Sequence, residues 1–397
     1  MTLPLAGTRV VDLTQVMAGP FCTMQLGDMG ADVIKVEPPG SGDLARSMGG
    51  AALRLKGSDS APFFALNRNK RSITLDLKSA NDREIFYALA RTADVVVENF
   101  RPGVTQRLGV DYITLAALNP RLVYASISGF GQTGPHADRP GFDLIAQGMS
   151  GIMSVTGEPD GPPVKCGVPV ADLAAGLYAA TGILAALIAR GPTGPGQHID
   201  TSLLDAALGL SVWEATEYWA TGVAPRAMGS AHRLSAPYQV FATVDGHVAI
   251  AALTQRQWRQ LCTVLEREHL PNDPRFATNV DRLTHREELA REITGALSGQ
   301  TTGAWVQRLL AAGVPAGPIQ DYAQVFADPH TAARGMVQEV VHPVEGRVRS
   351  LGFPVKMSVT PLRIRRPPPL LGEHTAEILE ELRLNRDRAT GGTGDPP

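Results

Sequence analysis

Only three cysteines occur in 397 residues, Cys22, Cys166 and Cys262, odd in number and far apart. That argues against a disulfide framework and for reduced thiols in the cytoplasm. Their spacing makes no metal site, and the nine histidines offer no His-x-x-x-His pair on a plausible helix. An excess of either charge is also missing, since 37 basic and 39 acidic side chains leave a formal net charge of -2. Neither nucleic acid nor an anionic membrane has an electrostatic footprint here, so neither is expected as a partner. No charged segment followed by an apolar run opens the chain, and no signal peptide is expected. Internal repeats are lacking. The uncharged run from Leu173 to Ala189 approaches membrane-spanning length, but it is short of ~20 residues, rich in Ala and Gly, and alone. It reads as a buried core helix.

What is present is an ordinary globular composition, 44% hydrophobic and 19% charged. The length exceeds what one core usually supports, so two domains are expected. Short apolar runs at 9–13, 31–37, 71–77, 94–100 and 122–128 alternate with helical stretches, among them 20–29 and 79–92. Strand and helix at this spacing predict an α/β domain with a mainly parallel sheet. Ligands bind such sheets beyond the carboxyl ends of the strands. Three polar or Gly/Pro-rich loops leave those ends, at 14–20, 99–103 and 128–140.

The last loop carries Gly129-Phe130-Gly131-Gln132-Thr133-Gly134, which satisfies the dinucleotide pattern in letters only. Pro135 follows the third glycine where a helix should begin, and no acidic residue ends a second strand some 20 residues on. Nicotinamide and flavin binding are therefore set aside. Further on, 198–202 reads as a strand and 203–218 as a helix bridging the domains. Runs at 238–244 and 247–251 flank Asp245-Gly246, a hairpin signal for a type I′ turn with positive φ at both residues. Helices are expected at about 255–267, 284–298, 302–312 and 375–382.

Asp172 heads the Leu173–Ala189 run, at the N-cap or first turn of its helix, and the run predicts packing on most helix faces. Two readings stand side by side. Asp172 caps a core helix, or it is a partly desolvated carboxylate, kept ionised by the helix N-terminus, that acts as a nucleophile.

Seven stretches, taken together and in this order, resemble the family III CoA-transferases (the CaiB/BaiF family). They are Asp12-Leu13-Thr14-Gln15 through Pro20, Gly30 to Glu37, Asn67 to Ile73, Val97 to Gly103, Gly141-Phe142-Asp143, Ala171-Asp172-Leu173, and Pro369 to His374. The resemblance implies an α/β fold with a Rossmann-like large domain built from both chain ends, a smaller α+β domain between them, and an interlocked homodimer. The expected division is 1–205 and 335–385 for the large CoA-binding domain, 206–334 for linker helix and small domain, and 386–397 for a disordered tail. It also implies that Asp172 is the catalytic nucleophile, carrying CoA as an aspartyl thioester. CoA and acyl-CoA enter as substrates, with no permanently bound cofactor.

By resemblance to formyl-CoA transferases, CoA contacts fall on Met17, Ala18, Leu75, Asp76, Leu77, Lys78, Asn99, Phe100, Arg101 and Arg107, with Asp143 in the same pocket as a ligand contact or a structural hydrogen-bonding group. The cations among them suit the phosphates of CoA. The family pattern has Arg where Pro38 stands, so one phosphate contact is absent or supplied elsewhere. Racemases of the family place a proton-carrying His where this chain has Phe142, and phenylalanine cannot shuttle a proton. Formyl-CoA transferases have Gln at the position of Met17 and a glycine-run loop where this chain reads Ala251 to Gln255, so formate and oxalate are disfavoured. Stretches at 229–239 and 313–319 resemble the branch that passes CoA from succinyl-CoA to dicarboxylates such as glutarate. Gln15, Arg139, Phe142, His232 and Arg233 are the substrate-site candidates, with Arg101, Arg139 and Arg233 able to pair a distal carboxylate. A monocarboxylate or carnitine-type CoA-transferase and a non-catalytic acyl-CoA-binding protein are the alternatives.

Overall fold

The computed structural model describes residues 2–57 and 59–389. Six strands form one sheet: β1 (Arg9–Asp12), β2 (Asp32–Glu37), β3 (Lys70–Thr74), β4 (Val95–Glu98), β5 (Val123–Ser128) and β6 (His198–Ser202). Their order is 3-2-1-4-5-6 and every pairing is parallel. Parallel neighbours need long crossovers, and the helical stretches between the apolar runs supply them. Val95, Val96 and Val97 point alternately to the two faces, so each face has its own apolar layer. Val10, Val95 and Val97 pack in one layer with residues of the helices Ala18–Asp28 and Val170–Arg190. Val11, Ile34 and Val96 pack in the other with Phe86, Leu89 and Ile378. Burial on both faces is why these strands read as continuous valine runs.

The strand order reverses between β1 and β4. Chain leaving the two strands there diverges, which opens a crevice at their carboxyl ends.

Several expectations need correction. The strand expected over 71–77 stops at Thr74, because Leu75 and Leu77 turn into the apolar layer. The Val170–Arg190 helix is not packed on most faces. It buries Ala171, Ala174, Ala175, Ala179 and Ile183 but leaves Leu177, Tyr178 and Ile188 exposed, the last at 81%. Its length and composition would suffice to cross a membrane; its small residues are accounted for by close contact with β5, β6 and the Ala18–Asp28 helix. The helix expected over 203–218 breaks at Ser211 into Leu203–Leu210 and Val212–Thr221. The last helix runs from Thr375 to Ala389, past the expected end at 382, with Glu377 and Glu381 paired to Arg71 and Arg9. Of the expected tail, 390–397 lies outside the described residues.

The chain divides into two compact units. One comprises the chain up to Ile152, Lys165–Thr216 and the chain from Ala332 on; the other comprises Met153–Val164 and Glu217–Thr331. The second unit has a three-stranded antiparallel sheet, β7 (Tyr238–Ala242), β8 (His247–Ala251) and β9 (Ala316–Pro318), in that order. Trp258, Phe276, Leu289 and Trp305 fill its core. The β7–β8 hairpin forms, but not through the expected turn: neither Asp245 nor Gly246 has positive φ. The loop is held instead by Asp245 Oδ1, which accepts the Thr302 N–H at 2.7 Å and its hydroxyl at 2.9 Å.

Candidate active site

A cavity of about 380 Å³ opens at the crevice between β1 and β4, a size suited to a small-molecule site. Its floor rests on a buried polar network. β1 ends at Asp12, whose carboxylate accepts the Thr14 N–H at 2.8 Å and the Thr23 hydroxyl at 2.7 Å, and pairs with Lys70 at 3.0 Å. Lys35, fully buried, pairs with Asp43 at 2.9 Å and donates to the Thr14 carbonyl at 2.7 Å. Asp43 Oδ1 in turn accepts the Val16 N–H at 3.0 Å.

That last bond holds a strained residue. Val16 has φ +69°, a conformation a β-branched side chain rarely adopts, costing on the order of 1–3 kcal/mol. A second clamp acts beside it: the Asn99 carboxamide accepts the Gln15 N–H and donates to the Gln15 carbonyl, both at 2.8 Å. The loops after β1 and β4 are thereby stapled across the crevice. Glu98 Oε2 accepts the Phe100 N–H at 2.8 Å; burial pushes this carboxyl up to about 7. Together these bonds deliver the Ala18–Asp28 helix to the cavity with no side-chain cap on its first turn.

The far wall comes from the glycine-rich loop. A Cβ on Gly129 would lie 2.6 Å from Gly141 Cα, so only two glycines let the loop cross itself there. This crossing accounts for the first glycine of the false dinucleotide pattern, and positive φ at Gly131 (+89°) and Gly134 (+93°) accounts for the other two. It turns Arg139 and Phe142 onto the cavity, Phe142 with 68% of its surface exposed.

Asp172 is the third residue of its helix and lines the same cavity. It is not the cap. Asp143, from the helix Asp143–Met149, accepts the Ala171 N–H at 2.9 Å and the Asp172 N–H at 3.4 Å through one oxygen. Among the described residues no donor reaches the Asp172 carboxylate, so the helix does not consume it. Nor is it held ionised as expected. Burial, and then the Asp143 carboxylate beside it, push Asp172 up to about 7. Asp143 offsets the amide charge that was expected to hold the proton off.

Of the residues singled out in the sequence, Gln15, Met17, Ala18, Asn99, Phe100, Arg101, Arg139, Phe142 and Asp172 line this one cavity. Leu75 and Leu77 belong to the apolar layer instead. Asp76 Oδ1 accepts the Lys78 N–H at 3.0 Å, with the Lys78 side chain exposed. Arg107 is exposed on the short helix Val104–Leu108. His232 and Arg233 belong to the second unit. His232 stacks on Tyr238 at 4.7 Å, and Arg233 pairs with Glu217 at 3.6 Å. Sequence reasoning missed Val16, Leu44, Asp43 and Gln147, none of which has a local pattern that marks it.

A sequence model of CoA-transferase family III matches residues 5–375. The chain is 44% identical to a succinate–glutarate CoA-transferase of Agrobacterium fabrum, over 98% of each chain. It is 45% identical to an acetyl-CoA:oxalate CoA-transferase of Acetobacter aceti, over 89% of each. Among solved structures, a CaiB/BaiF family protein from Brucella suis superposes with a TM-score of 0.86 at 43% identity, covering 96% of this chain and all of that one. A cavity at the strand-order reversal with a carboxylate in its wall thus has close relatives throughout its length, and the chain belongs to the family III CoA-transferases.

Proposed function

We propose that this enzyme moves CoA from succinyl-CoA to a dicarboxylate acceptor through an aspartyl-CoA thioester on Asp172. The observation that carries the reading is the Asp172 carboxylate in the cavity wall, without a donor among the described residues and with its pKa raised to about 7. A carboxylate of that basicity is a better nucleophile than an ordinary aspartate yet remains substantially ionised at neutral pH.

Asp172 attacks the thioester carbonyl, the C–S bond breaks, and CoA leaves as thiolate from a mixed anhydride. The thiolate then attacks the Asp172 acyl carbon, the anhydride C–O bond breaks, and succinate leaves. The acceptor carboxylate attacks the aspartyl-CoA and the same two steps run in reverse, with no net proton or water consumed. The uncapped first turn of the Ala18–Asp28 helix suits the oxyanions that develop at each addition. Arg101 and Arg139 line the cavity without an acidic partner among the described residues, and one of them pairs the acceptor's distal carboxylate. Lys78 and Arg107 are the exposed cations proposed for the CoA phosphates.

The dicarboxylate reading draws on the Agrobacterium fabrum relative's name and on these two arginines. The Acetobacter aceti relative makes acetyl-CoA and oxalate the rival donor and acceptor. Self-association is part of the same proposal. Leu144, Ile145, Leu177, Tyr178 and Ile188 leave the first unit an exposed apolar surface that a second copy would cover. The cytoplasm is the proposed compartment, on the three free cysteines.

The test has two parts. Incubation with succinyl-CoA, borohydride or hydroxylamine trapping, and peptide mapping should place the modification on Asp172; labelling elsewhere, or none, overturns the mechanism. A panel pairing succinyl-CoA or acetyl-CoA with glutarate, oxalate and a monocarboxylate should favour succinyl-CoA with glutarate. Transfer confined to the monocarboxylate rejects the dicarboxylate assignment.

A further inference from the structure

Gln147 lies one turn after Asp143 on the helix Asp143–Met149, and it is completely buried. A buried carboxamide is costly unless both ends are hydrogen-bonded. Here both are. Nε2 donates to Asp143 Oδ2 at 2.6 Å, and Oε1 accepts the Cys166 N–H at 2.8 Å. The orientation is fixed by chemistry, because the ionised carboxylate only accepts and the main-chain N–H only donates; a flipped amide would meet a repulsion at each end.

The two oxygens of Asp143 are therefore held by different partners. Gln147 takes Oδ2, while Oδ1 takes the amides of Ala171 and Asp172. Without Gln147 the Asp143 carboxyl would be held through Oδ1 alone, and its terminal torsion, which has only a shallow preference, would be less restrained. The same carboxamide ties down the segment that enters the Val170–Arg190 helix, through Cys166. One buried side chain thus connects the approach to that helix with the group that caps it.

We propose that Gln147 is a positioning residue for CoA transfer: by clamping Asp143 and Cys166 it fixes where the first turn carrying Asp172 stands in the cavity. This role rests on Asp172 being the nucleophile. A displacement of the nucleophile of order 1 Å is enough to slow a reaction about a hundredfold.

Single-turnover adduct formation with succinyl-CoA, read between acidic and mildly alkaline pH, tests it in four proteins: wild type, Gln147→Met, Asp143→Asn and the double variant. Methionine keeps the length and removes the amide. Gln147→Met should lower the limiting rate about 10- to 100-fold and move its pH midpoint, with the KM for succinyl-CoA little changed. In the Asp143→Asn background the same substitution should cost less than in wild type, since the contact with the Asp143 carboxylate is already gone and only the Cys166 contact remains to lose. An adduct on wild-type Asp172 together with an unaltered rate and midpoint in Gln147→Met overturns the role of Gln147 alone. Losses that multiply in the double variant also overturn it. No adduct on wild-type Asp172 overturns the nucleophile, and the positioning role with it. If Gln147→Met does not fold, Gln147→Glu serves, because it keeps the acceptor for Cys166 and loses the donor to Asp143. Its rate relative to wild type should recover as pH falls and the new carboxyl regains a donor proton; a constant ratio overturns the proposal.

Discussion

Gly176 and Ala18 meet backbone to backbone: a Cβ on Gly176 would lie 2.6 Å from the Ala18 carbonyl oxygen. Gly176 is one helical turn after Asp172, on the same face, so this contact brings the proposed nucleophile against the uncapped turn of the Ala18–Asp28 helix. Alanine is ordinarily the better helix former by ~1 kcal/mol. At this position Gly176→Ala should instead destabilise, by about 1–3 kcal/mol, because the two helices must part. Urea unfolding gives the number, and adduct formation should fall with it. An increase in stability would show that the helices separate at no cost.

Asp172 should weaken the fold that holds it. An unfolded aspartate has a pKa of about 3.9, and burial raises the folded value to about 7. Between those two values the native state binds a proton that the unfolded chain has lost, so stability declines as pH rises through that window and stays low above it. Asp172→Asn should therefore melt higher than wild type at pH 8, by a few degrees, with the difference vanishing near pH 4. The same variant should be inert in transfer. Equal melting temperatures at pH 8 would mean that the carboxylate is well solvated.

The rate of adduct formation should rise with pH through a midpoint near 7, since only the ionised Asp172 attacks. Asp143→Asn removes the neighbouring negative charge and should shift that midpoint down. A midpoint near 4 in wild type would contradict the burial of Asp172.

The Lys35–Asp43 pair is buried on both sides. Asp43→Ala leaves Lys35 charged without its carboxylate and the Val16 N–H without its acceptor. A loss of about 3–5 kcal/mol is expected by denaturant unfolding. Asp43→Asn should recover part of it by keeping the acceptor for Val16. If Asp43→Ala costs less than ~1 kcal/mol, water reaches Lys35 and the site floor is not sealed.

Arg139→Ala should raise the KM for glutarate about tenfold or more while sparing that for a monocarboxylate, as expected for loss of a charge-assisted pair. Arg101→Ala is the parallel test. The variant that shows this selective effect identifies the arginine that pairs the distal carboxylate. Equal losses for both acid classes would place both arginines on CoA.

The sheet was legible in the sequence because parallel strands buried on two faces become unbroken apolar runs, and Val95-Val96-Val97 could hardly be anything else. The loops that line the cavity were legible too, since their polar and Gly/Pro chemistry marks the strand ends. The strand order was not, because no local pattern reveals which runs become neighbours. Asp172 drew attention as a lone carboxylate on an apolar helix, but its cap comes from Asp143, 29 positions earlier. Val16 looks like any valine; Asp43, brought in from another loop, accepts its N–H in the left-handed conformation, beside the Asn99 clamp on Gln15.

The crossing of Gly129 and Gly141 makes the loop between them a closed noose with a knot-like neck. The tip is tied to the cavity through Arg139, which lines it and whose N–H donates to the His136 carbonyl at 2.9 Å. A change in the length of the noose is therefore felt in the cavity at Arg139 and Pro140, while the glycine crossing keeps the two ends of the loop together.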